Sequence, residues 1–298
     1  MQNLFKQFYC CFLVVLSHLS GSSFAVAESI NFEVETTPSN SSHLLDQQLI
    51  HTLESYSVFE KLKQFVEQNL ILDEDITLAF QQNNNNYFDT HATFESPTTP
   101  QNKIITHYSF LRQIHQSLLV KFPQQIEVRE RIFVSAVEKH LWFELGRILV
   151  DKYQLNFPDG DSFILDHFST IMLLNLSDLD SEYLLDATET YLLVSQSHLT
   201  QRTNSFQSEI EMDESRYRLV VCLILGKDLS LNNTHDLSSS DPYTTLLSDF
   251  SWGQQRLKQC MALYKGQLLA WYQALSPHLK EKSQPHLHCL RGIMIFLN

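Results

Sequence analysis

A mainly helical protein with a small β-sheet near its N-terminus is the fold class that the sequence predicts. Two observations carry this. Apolar residues recur at steps of three and four through most of the 298 residues, the period of an amphipathic helix. Two short early segments, 76–80 and 103–107, instead carry β-branched residues bounded by acids, asparagines or turn formers, as strands do.

Taken in order, residues 28–41 are polar and are expected to be loose. Between Ser42 and about Leu72, the residues Leu45, Leu49, Ile50, Leu53, Phe59, Leu62, Phe65 and Val66 keep helical spacing, which gives one or two helices. Ile76–Phe80 reads as a strand, followed by a solvated asparagine-rich loop, and Lys103–His107 as a second strand after the turn-rich 96–101. A helix is expected from Tyr108 to about Lys121. A long one follows over Val128–Tyr153, where Val134, Val137, Leu141, Leu145 and Ile148 form an apolar stripe. Phe157-Pro158-Asp159-Gly160 makes a turn, and Asp161 or Ser162 can cap the next helix, which runs through Leu174. Further helices are expected at 181–197, at 214–225 with Gly226 as its end, and at 253–275, stopped before Pro277. The stretch 227–245 between the last two reads as a polar, mobile loop.

Charge and composition narrow the function. Asp+Glu outnumber Lys+Arg by 34 to 21, a formal charge of −13, which argues against nucleic acid and anionic membrane surfaces as partners. The glycines number only 7 and none are spaced as G-x-G, so the phosphate-cradling loops of nucleotide enzymes are excluded. No G-x-S-x-G elbow is present.

The N-terminus has the pattern of an export signal: Lys6, the short apolar stretch Cys11–Ser20, and Ala25-Val26-Ala27 ahead of Glu28. The apolar part is too short to span a bilayer, and no other run approaches the ~18 residues a span needs, so stable membrane insertion is not expected. Cys10 and Cys11 precede the apolar stretch, unlike a lipid-anchor cysteine. The expected location is periplasmic or extracellular. Past residue 27 the cysteines are Cys222, Cys260 and Cys289. In an oxidising compartment two of them can pair. The apolar helical settings of Cys222 and Cys260 favour that pair, with two buried thiols as the alternative.

In the long fourth helix, Phe143-Glu144-Leu145-Gly146-Arg147 sits where an H-E-x-x-H metal helix would have its two histidines and glutamate. FELGRILV at 143–150 is followed by SFILDHFS at 162–169. Earlier stands Thr106-His107-Tyr108-Ser109-Phe110; later come Asp213-Glu214-Ser215-Arg216-Tyr217, Cys222 and Gly226. Cys260, Tyr264, Trp271, Pro277 and His278 close the pattern. On these segments the chain from about Leu72 onward resembles a bacterial family of exported zinc metallopeptidase-like proteins, long catalogued as a domain of unknown function. Members read like H-E-L-G-H-A-L-I, then E-D-x-A-D-x-F-A. The resemblance implies a zincin-like helical domain over 72–298, after a leader at 1–27 and an N-terminal helical segment at 28–71.

It also implies zinc as cofactor, Glu144 as general base and ligands at positions 143, 147 and 162, where this chain has Phe143, Arg147 and Ser162. A catalytic zinc needs about three protein ligands and an open position for water. A degenerate, inactive member without cofactor is therefore expected, acting by binding an unidentified peptide, protein or envelope partner. Two alternatives stand beside it: an active peptidase with a shifted set from His140, Glu144 and Asp166 or His167, and a plain structural helical domain. Arg147 is expected to neutralise Glu144 and Asp166 and to close the site. The contrary reading is an exposed Glu144–Arg147 pair one helical turn apart. The tail residues His278, His286, His288 and Cys289 form only a weak metal-binding pattern.

Overall fold

A computed structural model of the chain describes residues 32–36, 44–82, 102–157, 163–176, 181–199, 214–232 and 252–280. The expected leader at 1–27, Asp161, Ser162, His286, His288 and Cys289 lie outside the described residues. Three strands and eight helices occur among the described residues: β1 (Phe32–Thr36), α1 (Leu44–Ser55), α2 (Val58–Asn69), β2 (Ile76–Gln81), β3 (Lys103–His107) and α3 (Tyr108–Lys121) come first. Then follow α4 (Ile126–Tyr153), α5 (Ile164–Leu176), α6 (Ser181–Leu199), α7 (Glu214–Asn232) and α8 (Gln254–Leu275), closed by a single 3₁₀ turn at Ser276–His278. The protein is mainly helical with a small N-terminal sheet, as its periodicity predicts.

The sheet is parallel throughout, in the order β1-β2-β3. Parallel neighbours require a crossover, and α1 with α2 supplies the one between β1 and β2. β1 corrects the sequence reading of 28–41 as loose. Its alternation is disguised because Glu33, Val34 and Glu35 are all exposed, so no apolar face marks it. The break between α1 and α2 falls at Ser57, whose φ of 56° is left-handed and cannot continue a helix.

A second correction concerns Gly226. α7 does not end there but runs on to Asn232, so 227–232 is helix, and the rest of the loop expected over 227–245 lies outside the described residues. A Cβ at position 226 would lie 2.2 Å from the Cys260 carbonyl oxygen. The glycine is therefore a point of close approach between α7 and α8 rather than a stop. Beside it Cys222 and Cys260 are joined by a disulfide with Cα atoms 4.9 Å apart.

The long helix α4 runs through the middle of the molecule, packed by α1, α2, α3, β3, α5 and α6. From Ile132 to Gly146 every residue of it is buried, the polar ones included. At Gly146 it meets α5 so closely that a Cβ would come within 2.6 Å of Phe168. Trp142 sits edge-on to both Phe65 of α2 and Phe168 of α5, binding the N-terminal helices and the central pair into one core. Among the described residues no helix is long and apolar enough to cross a membrane.

Candidate functional site

Two neighbouring stripes of α4 carry the polar residues of the interior. Lys139, Phe143 and Arg147 follow one another at steps of four, and His140 and Glu144 lie beside them. Against them α5 brings Asp166 and α7 brings Arg216. Lys139 Nζ donates to Asp166 Oδ1 at 3.2 Å, and Arg216 Nε donates to Asp166 Oδ2 at 2.7 Å. Arg147 Nε stands 3.5 Å from Glu144 Oε2, an ion-pair distance longer than a tight hydrogen bond. The guanidinium groups of Arg147 and Arg216 both lie over the Phe143 ring, at 5.5 and 5.6 Å from its centre.

Arg147 is expected from the sequence to answer both carboxylates, and the residues that pair in this arrangement fall on different helices. Asp166 does approach from the next helix, Lys139 and Arg216 bond it, and Arg147 stands against Glu144. The Glu144–Arg147 pair is not an exposed one, since the two side chains retain only 5% and 14% of their accessible surface.

Burial sets the protonation of the cluster. It would push the Asp166 carboxyl up, yet the Lys139 ammonium and Arg216 guanidinium outweigh it and hold that carboxyl below the usual range. The same burial pulls Lys139 down, with Asp166 acting against it. Desolvation, helped by the positive charge of Arg147 and Lys139 and by His107, lowers His140 to about 3, so its imidazole is neutral at ordinary pH. Its ring packs 4.6 Å from that of Phe110. Tyr191 of α6 is raised well above its ordinary value by burial and then by Glu144 and Asp166, and it donates to the Ala136 carbonyl at 3.0 Å. It stays a neutral phenol.

His167 is buried on α5. Among the described residues no group of three or more His, Cys, Asp or Glu side chains is placed to hold a metal ion. The shifted set of His140, Glu144 and Asp166 or His167 is thus not assembled as a coordination site. Ser162 lies outside the described residues. His278 stacks on Tyr153, with ring centres 3.9 Å apart and planes 13° from parallel.

Lys139, Arg216 and Tyr191 are the site residues that sequence reasoning did not assign. A signal existed for two of them. Lys139 is a cation one turn before Phe143 on a helix with a long apolar stripe, and Arg216 stands in the segment Asp213–Tyr217 that carries part of the resemblance. A lysine or arginine is almost never buried unless paired, so its partner had to lie on another helix.

No curated protein and no solved structure matches this chain. A family model does match it, over residues 39–275, which takes in α1 to α8 and every strand but β1. The chain belongs to that family, whose description is "Putative metallopeptidase".

Proposed function

We propose that this protein is a member of the family that has lost its metal centre and acts by binding rather than by cleavage. The observation that carries the reading is the donor chemistry around Glu144. A zinc helix grips its ion through the residues one before and three after the glutamate. Here those are Phe143, which has no lone pair to give, and Arg147, a cation held against Glu144 itself. Asp166, a second buried carboxylate of the cluster, has each oxygen engaged by an organic cation. Such a set does not fit a catalytic zinc, which needs about three N, O or S ligands and a water. Without an activated water Glu144 has no proton to take.

The ligand we favour is an extended peptide segment. β3 is an outer strand of the described sheet and touches α4, so a peptide added along it would lie beside the polar cluster. Export agrees with the buried Cys222–Cys260 disulfide, a bond that persists in oxidising compartments.

Metal analysis and a cleavage assay on an unfolded protein substrate test the reading together. Substoichiometric zinc and no cleavage are expected. Near-stoichiometric zinc with chelator-sensitive cleavage would establish an active peptidase with another ligand set.

A further inference from the structure

We infer that two cations carried by α4, Lys139 and Arg147, have taken over at the centre of this molecule the charge balancing that a metal ion performs: Lys139 joins Arg216 on Asp166, and Arg147 answers Glu144. The inference rests on the reading that the metal centre is lost, and it names what holds the site in its place. A divalent ion in a protein interior neutralises buried carboxylates and ties the elements that carry them. Asp166 receives both services here. It is 1% exposed on α5, and its two oxygens are bonded at 3.2 Å to α4 and at 2.7 Å to α7. A buried carboxylate without such partners is strongly unfavourable, so the pairing is a condition of burying it.

Position supports the substitution as much as charge does. Lys139 and Arg147 lie one turn to either side of Phe143 on a single stripe of α4, so the positive charge is fixed along the face that would grip an ion. The Phe143 ring fills the space between the two turns, and the guanidinium groups of Arg147 and Arg216 rest on it. Cations supplied by the chain cannot be chelated or exchanged. The folded state, and any surface built on α4, is then independent of divalent ions.

Thermal melting of the full chain tests this, in chelator, in plain buffer and in excess zinc chloride, for the wild type, Lys139→Met, Asp166→Asn and the double variant. The wild type is expected to melt at one temperature in all three solutions. Lys139→Met keeps the length of the stem and removes the charge, and should lower the melting temperature by roughly 10 °C. The double variant should lose less than the sum of the two single losses, because both break one interaction. A wild-type melting point raised by zinc or lowered by chelator overturns the inference, and so does a Lys139→Met protein as stable as the wild type. Should a variant fail to fold, the wild-type metal series still decides. Cleavage assayed on the same wild-type samples separates the two readings. Proteolysis with no response to metal overturns the proposed function and leaves the substituted cations standing, whereas a metal response without proteolysis overturns the inference and the loss of the metal centre and leaves only the absence of cleavage.

Discussion

Arg147 and Glu144 stand one turn apart on α4 with little surface left to solvent, so removing one leaves the other charge buried. Breaking a buried pair costs about 3–5 kcal/mol, and a 3.5 Å separation argues for the lower end or just below it. Arg147→Ala should therefore lose about 2 kcal/mol or more in urea unfolding. A loss below ~0.5 kcal/mol would mean that the pair behaves as a surface one. His140 gives a pH prediction of definite sign. Unfolded, it takes up a proton near pH 6.5; folded, it refuses one until about 3. The unfolded state thus binds more protons between those values, and stability falls as pH drops through that window, by about 1.4 kcal/mol per unit. Above pH 6.5 this residue contributes no slope. His140→Gln should remove the effect, so between pH 7 and pH 5 the wild type should lose about 2 kcal/mol more than the variant, by urea titration at each pH. At this scale the sequence displays the altered helix, Phe143, Glu144 and Arg147, in plain view. It hides the pairing of Asp166, because Lys139 and Arg216 meet it only when three helices pack together.

Helix positions were legible wherever an apolar stripe of regular period met a clear stop, as over Tyr108–Lys121, whose bounds match the expectation. They were illegible where a residue has two possible meanings. Gly226 reads as a terminator but acts as a contact point. A Cβ there would strike the Cys260 carbonyl, which is backbone and cannot rotate away. Gly226→Ala must push α7 from α8, and a cost of about 3 kcal/mol, the upper end for overpacking, is expected in thermal unfolding. Gly146→Ala meets a ring instead, but Phe168 is 1% exposed between Trp142 and Trp271 and has little room to turn, so a loss of about 1–3 kcal/mol is expected. The disulfide secures the same pair of helices. With its cysteines 38 positions apart, the chain-entropy estimate of its contribution is about 4 kcal/mol. Replacing both cysteines by alanine should lower stability by about that much at equilibrium. Since Cys222 and Cys260 are 1% and 0% exposed, reductant should act on the native protein only at the rate of its unfolding.

Across the whole molecule the deciding question is whether the N-terminal helices are an appendage or part of the core. The sequence places a boundary near residue 71, where the helical segment ends and the strands begin. Apolar packing runs across that position. Leu53, Val58, Leu62, Val66 and Leu70 are buried in the same cluster as α4 to α8, and Phe65 meets Trp142 with ring centres 5.1 Å apart. The far end of the described chain returns to this junction. The Ile71 N–H donates to His278 O at 2.8 Å, the Lys280 N–H to Asn69 O at 2.8 Å, and the Tyr153 hydroxyl to Ile71 O at 2.7 Å. The closure of Ile71 with His278 and of Asn69 with Lys280, about two hundred positions apart, cannot be read from periodicity, which reports only on near neighbours. Deleting the chain up to residue 71 would strip a row of large apolar side chains from the side of α4, each worth about 1.5–3 kcal/mol of burial, against a typical net stability of only about 5–15 kcal/mol. The 72–298 fragment should therefore show no cooperative thermal transition and should be degraded rapidly under limited proteolysis, while the 28–298 chain melts as one unit. A fragment that melts cooperatively by near-ultraviolet circular dichroism would instead make the helices separable from the rest of the fold.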